Sequence, residues 1–501
     1  LSDQLLVRHA DRYRDLLALI FGGLLPLGLA PFDYWGIALL APAALFWATW
    51  GASRLRLMWR FYLFNLGMFT TGVSWIYVSI NTYGGASQIL AAFLVALFVS
   101  SYSMVCLPQA WIYGTWFRSN LVAGGLGFIG LWVLQEWFRS WFLTGFPWLF
   151  LGYSGLETPL AGFAPVAGVF GVSLLICAIS VFLVLGCMTR RIVFFLVPLV
   201  IAITGFICGM TDSTNSKKRI SVSLVQGNID QHTKWNPENR SAILSAYLDA
   251  SRSEWGRDLI VWPEAAVTIF RGAASKVLTD IDQKIGSMGS SLLAGIPDRD
   301  EVGGFQNTVI ALGDGSGQYI KRRLVPFGEY MPLESVLRGL IQFFDLPMSR
   351  NVPGPRQQEP ILADDLKISV SICYEVVYPE IVREDVREKD LLVTVSNDTW
   401  FGSSIGPWQH LQMARMRALE NGRAMVRATN NGITALIDHQ GNLQATLRQF
   451  EPGVLRGDVE IRTGLTLFSR FGSLPVLFLS LLLALFGRFL PLNWLVIHGD
   501  A

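Results

Sequence analysis

The sequence predicts two architectures in one chain: a membrane α-helical bundle of about eight transmembrane helices and an exported α/β domain. Three observations lead there. The 501 residues are 51% hydrophobic and only 16% charged, whereas soluble chains carry about 25% charge. The apolar excess is uneven: residues 14–210 and 473–497 are strongly apolar and nearly devoid of acids, while residues 211–465 have the balance of a soluble domain. Within 218–461, short β-type runs alternate with helical stretches, the pattern of a largely buried sheet covered by helices.

The membrane elements come first. Crossing a bilayer takes roughly 17–25 apolar residues, and eight such runs occur, at about 14–31, 35–52, 60–80, 87–114, 121–142, 160–187, 191–210 and 473–495. Pro26, Pro31 and Pro42 interrupt the first two. The first run lacks a convincing small-residue cleavage site and reads as a retained anchor. Arg8, Arg12 and Arg14, then Arg54, Arg56 and Arg60, then Arg118, then Arg190 and Arg191 mark alternate connections, while Asn81–Gly85 carries no Lys or Arg. The positive-inside rule then places the N-terminus in the cytoplasm. Seven crossings before residue 211 put the soluble domain outside, and the last span returns the chain. The expected domains are 1–210, 211–465 and 466–501. Inside the fifth run, Glu136 and Arg139 are spaced i,i+3 on one helix face and could pair, either as a structural ion pair near the outer interface or in holding a lipid headgroup. Charges within spans are costly and face protein or a water-filled path, so both are candidates for holding a lipid headgroup.

In the exported domain, strands are expected at Ile220–Val225, Leu259–Trp262, Ser291–Ala294, Thr308–Leu312, Gln318–Lys321, Ile368–Ile372, Leu391–Val395, Ala424–Ala428, Thr434–Asp438 and Gly457–Ile461. Helices are expected at Asn239–Glu254, Ser275–Met288 and Trp408–Asn421. In such sheets function gathers at the carboxyl ends of strands. Glu264, Lys321 and Cys373 all fall there. Cys373 is the one cysteine of the polar half; Cys106, Cys177, Cys187 and Cys208 lie in apolar runs, where cysteine is usually a small hydrophobe. A lone thiol in an oxidising compartment, with a carboxylate and an ammonium delivered by other strands, supplies the parts for acyl transfer through a thioester. No HExxH, CxxC or Cys/His cluster suggests a metal, and a net charge of +2 without a basic stripe gives no nucleic-acid signal.

Four motifs in order make the reading specific: Val261-Trp262-Pro263-Glu264, Lys321 leading into Leu324-Val325-Pro326-Phe327-Gly328-Glu329, Ile372-Cys373-Tyr374-Glu375, and Ser396-Asn397-Asp398-Thr399-Trp400-Phe401-Gly402. Together they resemble the nitrilase superfamily. With the flanking apolar runs, the whole chain is similar to the apolipoprotein N-acyltransferase family. The resemblance implies an αββα sandwich with a Glu-Lys-Cys triad: Cys373 as nucleophile, Glu264 as general base, and Lys321 stabilising the oxyanion with the Tyr374 backbone N–H. Glu329 and Glu375 would orient Lys321 and the substrate amine. Trp235, Arg139, Glu136, Asn397 and Trp400 are candidate substrate contacts, and the apolar Leu337–Met348 stretch is a candidate lid. The implied reaction moves a fatty acyl chain from a phospholipid, preferably phosphatidylethanolamine, to the α-amine of an N-terminal diacylglyceryl-cysteine on a lipoprotein, in two ping-pong steps. It requires no cofactor. The setting would be a bacterial inner membrane, with a monomeric multi-pass protein and its catalytic domain on the periplasmic side.

Two other functions are weighed against this one. A membrane-anchored amidase acting on a small amide would need one anchor, not seven preceding spans. A transporter with a ligand-binding exported domain would show repeated spans, paired broken helices or a chain of intramembrane acids, and the sequence has none of these.

Overall fold

The computed structural model describes residues 2–117, 120–332 and 350–489, with side chains from residue 10 on. The Leu337–Met348 stretch and Arg118 lie outside the described residues. The chain forms two compact units: 1–76 with 89–211 and 471–501, and 77–88 with 212–470.

The first unit is helical. Three helices are long and apolar enough to cross a membrane: Gln88–Trp116, Leu121–Thr144 and Pro159–Thr189. A fourth results if Arg54–Gly72 and Trp75–Tyr83, bent by 52°, count as one span. Trp35–Thr49, Val193–Gly209 and Leu474–Phe489 are apolar but shorter. Eight expected spans thus become three or four by length and composition among the described residues. Proline accounts for part of the shortfall. Ser2–Leu24 gives way to a 3-10 turn carrying Pro26, and Pro42 sits inside Trp35–Thr49, where it removes a helix hydrogen bond. Ile89, Phe93, Leu97, Val200, Phe206, Phe478 and other large apolar side chains are exposed, a surface compatible with a bilayer.

Small residues let these helices approach closely. A side chain at Gly67 would fall 2.7 Å from the Gly23 nitrogen, and one at Gly130 would fall 3.1 Å from that of Ala484. The Glu136–Arg139 pairing that the spacing allows does not form. Glu136 Oε1 accepts from the Leu151 N–H at 2.8 Å and from Trp132 Nε1 at 3.1 Å. Arg139 donates to the Trp148 carbonyl at 3.2 Å and lies against the rings of Phe69 and Phe150. Spacing i,i+3 places two residues on one face but does not turn them toward each other, and the backbone of the following loop offers the carboxylate a donor already inside the bundle. Arg60 is likewise drawn inward, fully buried, with Asp15 at 2.8 Å and Asp11 at 2.6 Å.

The second unit is built on two sheets. The first has the order β13 (Gly453–Thr463), β1 (Asn215–Gln226), β2 (Leu259–Val261), β3 (Ser291–Arg299), β4 (Phe305–Gly313), β6 (Gln318–Ile320). The second runs β12 (Leu443–Thr446), β11 (Ala435–Ile437), β10 (Met425–Thr429), β9 (Leu391–Ser396), β8 (Leu366–Ile372), β7 (Ile361–Ala363), β5 (Gly315–Ser316). Alternation sets the layers, because side chains of a strand point to opposite faces in turn. Val222 and Leu224 of β1, Leu259 and Val261 of β2, Val370 and Ile372 of β8, and Val393 and Val395 of β9 form one apolar cluster between the sheets. The residues one step out of phase, Ile260 of β2 and Leu292 and Ala294 of β3, face the helices Arg240–Ser251 and Ser275–Gly286 through Tyr247, Leu278 and Ile281. Helices Pro379–Val386 and Gly406–Asn421, with buried Val382, Val386 and Leu411, follow β8 and β9. The result is an α/β sandwich of the nitrilase type. Each fully buried Val, Leu or Ile contributes about 1.5–3 kcal/mol, so the register of these strands is held by the central layer.

Candidate active site

Sheet topology brings the reactive residues to one edge. β1, β2 and β3 are parallel. The step from β3 to β4 and that from β4 to β6 are both antiparallel, so β6 runs with β2 again. Glu264, three residues beyond β2, and Lys321, directly after β6, therefore leave the first sheet at the same end. Cys373 follows β8 and Asn397 follows β9, and these two strands are parallel neighbours.

The turn carrying Glu264 is tightly held. Ala265 has φ +49°, and the Val267 N–H donates to the Gly295 carbonyl at 3.1 Å. A side chain at Gly295 would sit 2.8 Å from the Glu264 Cα. Asn307 Nδ2 donates to Glu264 Oε1 at 2.6 Å, and the Asn397 backbone N–H donates to Oε2 at 2.8 Å. Lys321 Nζ lies 3.5 Å from Glu264 Oε1 and 2.7 Å from Glu329 Oε1. Glu329 Oε2 accepts from the Val325 N–H at 2.8 Å. Lys321 is 1% exposed. Burial alone would favour its neutral form, but the carboxylates of Glu329 and Glu264 outweigh burial and hold the ammonium above its ordinary range.

Cys373 sits at φ +51°, a left-handed conformation uncommon for a residue with a Cβ. The strained turn ends β8 abruptly and leaves the thiol half-buried. Burial pushes its pKa up, as does the nearby Glu264 carboxylate, while the Lys321 ammonium acts the other way. The thiol is therefore protonated at rest, within electrostatic reach of a carboxylate that can accept its proton and an ammonium that can face a developing oxyanion.

Two groups fix the turn. Glu375 is fully buried and takes four donors: the Ile372 N–H at 2.8 Å, the Arg322 N–H at 2.7 Å, the Arg323 N–H at 3.0 Å and the Tyr319 hydroxyl at 3.0 Å. It ties the Cys373 turn to the Lys321 turn through main chain. Of the two expected carboxylates, Glu329 contacts the Lys321 ammonium directly, and Glu375 holds the main chain that follows Lys321. The second group is a cluster that sequence reasoning missed. His410 Nε2 lies 3.1 Å from the Cys373 carbonyl, and Nδ1 lies 3.1 Å from Arg427 Nη2. Arg427 and the Ser396 hydroxyl both donate to Asp398, at 2.6 Å each. Burial and Arg427 depress the His410 pKa. Nδ1 also lies 3.0 Å from Asp398 Oδ1, so the ring bridges the Cys373 carbonyl and the Asp398–Arg427 pair.

The remaining candidates divide. Asn397 belongs to the cluster; its side chain is engaged with Gln231 at 2.7 Å, Thr399 at 2.8 Å and Asn430 at 3.1 Å. Tyr374 is buried edge-on against Tyr378. Trp400 meets the edge of Tyr83, whose ring stacks on His232, and its carbonyl accepts from Ser79 at 2.7 Å. Trp235 is half-buried rather than exposed. Glu136 and Arg139 belong to the first unit. Also missed was Lys234, fully buried, with Nζ 3.2 Å from the Glu264 carbonyl; a polar single turn, Gln231–Lys234, gives no sequence signal that its last residue points inward. Among the described residues no group of three or more His, Cys, Asp or Glu could hold a metal.

The family Carbon-nitrogen hydrolase matches residues 221–464, the α/β sandwich whose strand ends carry the half-buried thiol, the carboxylate and the ammonium. The helical unit carries its own match, to the Apolipoprotein N-acyltransferase N-terminal domain over residues 21–182. Apolipoprotein N-acyltransferase of Pseudomonas syringae pv. tomato is 43% identical over 94% of this chain and 95% of its own length. That of Pseudomonas aeruginosa PAO1 is 44% identical over 94% and 96%. The chain belongs to the apolipoprotein N-acyltransferase family and is an acyltransferase. Among solved structures, Saccharomyces cerevisiae Nit3, a nitrilase-superfamily member, aligns with 50% of this chain and 93% of its own at 18% identity and a TM-score of 0.38, a level that speaks to neither ligand nor activity.

Proposed function

We propose that the protein transfers a fatty acyl chain from a phospholipid, phosphatidylethanolamine by preference, to the α-amine of the N-terminal diacylglyceryl-cysteine of a lipoprotein. The observation that carries this reading is the convergence of Lys321 Nζ on the carboxylates of Glu264 and Glu329 at the strand edge where the Cys373 thiol emerges. In the first step Glu264 accepts the thiol proton as sulfur attacks the ester carbonyl. The Lys321 ammonium and the Tyr374 N–H face the negative oxygen. The C–O bond then breaks, and the lysophospholipid alkoxide leaves with the proton. In the second step the amine attacks the thioester, a C–N bond forms, the C–S bond breaks, and Cys373 recovers its proton. A thioester that must wait for an amine needs protection from water, which favours acyl donors and acceptors that both reside in a bilayer.

On this reading the apolar runs cross the membrane eight times, with domains at 1–210, 211–465 and 466–501. The N-terminus is cytoplasmic, the catalytic domain lies on the periplasmic side of a bacterial inner membrane, and the protein works as a monomer. Trp235, Trp400, Asn397, Arg139 and Glu136 remain the proposed substrate contacts. The test is to incubate the purified protein with acyl-labelled phosphatidylethanolamine and seek a hydroxylamine-sensitive adduct on Cys373. Cys373→Ala should give none while remaining folded. Retained lipoprotein N-acylation in that variant ends the proposal, and the absence of any lipid-derived adduct points instead to a small-amide hydrolase.

A further inference from the structure

Two carboxylates share one cation at the site. Glu329 and Glu264 both lie on the Lys321 ammonium, at 2.7 Å and 3.5 Å, so Lys321 by itself leaves this buried group one negative charge in excess. Such an excess favours taking up a proton. The second cation is Lys234. It is fully buried, and its Nζ donates to the Glu264 main-chain carbonyl at 3.2 Å. Among the described residues it has no carboxylate within ion-pair distance, and Glu264 is the charged group that acts on it. On its own turn, Asp230 is occupied in capping the His232 N–H, and the exposed His232 ring stacks on Tyr83. The Trp235 ring centroid lies 6.0 Å from Nζ. Burying an unpaired ammonium is costly, and no surface ion pair or packing requirement explains this one.

We propose that Lys234 is a positioning residue for the acyl transfer, its ammonium balancing the second carboxylate of the Glu264–Glu329–Lys321 group and its hydrogen bond holding the Glu264 turn. The inference rests on the reading of Glu264 as the base that accepts the Cys373 proton. It makes the proton acceptor a property of four charges rather than of one carboxylate. An ammonium held near its own titration, with a pKa lowered to about 8 by burial, is consistent with a charge maintained against desolvation.

The experiment measures single-turnover thioester formation on Cys373 from acyl-labelled phosphatidylethanolamine across pH 5–9 (about), with the full-length protein in detergent micelles. Lys234→Gln keeps a donor for the carbonyl and loses the charge; Lys234→Met loses both; Lys234→Arg keeps the charge. The acidic limb of the rate profile should move up by about one to three pH units in the Gln and Met variants, with the plateau above the limb retained. In Lys234→Arg the limb should stay near that of the wild type. A limb that does not move in either uncharged variant, or a plateau that falls without displacement, overturns the proposal and leaves Lys234 a structural residue. Methionine fills a buried slot without a charge to desolvate, so one uncharged variant decides if the other does not fold. Cys373→Ala run in parallel separates the two claims: adduct persisting there defeats the underlying reading, whereas its loss with unmoved profiles defeats only the role of Lys234.

Discussion

Replacing Lys234 with methionine should make the protein more stable, and the gain should depend on pH in one direction. Burial lowers the Lys234 pKa from the ordinary 10.5 to about 8. One pH unit corresponds to about 1.4 kcal/mol, so the charged side chain costs the folded state about 3 kcal/mol wherever both folded and unfolded forms carry it, which is below pH 8. Between pH 8 and 10.5 the unfolded chain still binds the proton and the folded chain has released it. The unfolded state then binds more protons, so stability rises with pH across that window. Lys234→Met removes this term and also removes a donor to the Glu264 carbonyl, a loss of about 1 kcal/mol. The net expectation is about 2 kcal/mol of added stability at pH 7, shrinking and then reversing by pH 10 (about). Thermal denaturation of wild type and variant in the same micelles, at several pH values from 7 to 10 (about), reads the difference and cancels groups common to both. Parallel pH dependences in the two proteins would refute the reasoning, because they would mean that Lys234 carries no buried, titrating charge.

Other expectations concern the reaction and the turns that support it. Glu264→Gln and Lys321→Ala should each lower the rate of acyl transfer at least about 100-fold, read by thioester formation and by lipoprotein N-acylation; near-normal turnover in either reassigns its role. Glu375→Gln turns an amide toward some of the four donors now facing the carboxylate. Each buried donor left unpaired costs about 1–3 kcal/mol, so this variant should lose thermal stability before any effect on substrate affinity appears. Gly295→Ala places a methyl group 2.8 Å from the Glu264 Cα. The main chain of Pro263 and Ala265 is also in the way, so the variant should lower both the melting temperature and the rate of thioester formation.

The long strands were legible because a buried sheet face demands apolar residues at every second position, as in Leu391–Ser396 and in Leu366–Ile372, where Leu366, Ile368, Val370 and Ile372 alternate with polar residues. The short strands at or beside the sheet edges, Gly315–Ser316, Ile361–Ala363 and Leu443–Thr446, were not. Two to four residues carry no period, and these segments are strands only because a neighbour pairs with them. The same contrast separates the site residues. Glu264, Lys321 and Cys373 stand at the ends of strands that the sequence reveals. Lys234, Asn307 and the Asp398–His410–Arg427 cluster stand where only the folded chain brings them. Glu375 beside the cysteine was expected to orient Lys321 and the substrate amine, and the four internal donors around its oxygens could only be found in the folded chain.

By itself, the sequence determined the family, the division into an apolar helical part and an α/β part, and the placing of Glu264, Lys321 and Cys373 at strand ends. Those properties are local: hydrophobic period, run length and short motifs each survive being read along the chain. Tertiary structure decided which charges share a site, since two carboxylates on Lys321, a second ammonium under Glu264 and a neutral histidine on the Cys373 carbonyl come from segments far apart in sequence. It also decided that Glu136 Oε1 takes the Leu151 N–H, 15 residues along the chain, and that Arg139 turns to the Trp148 carbonyl.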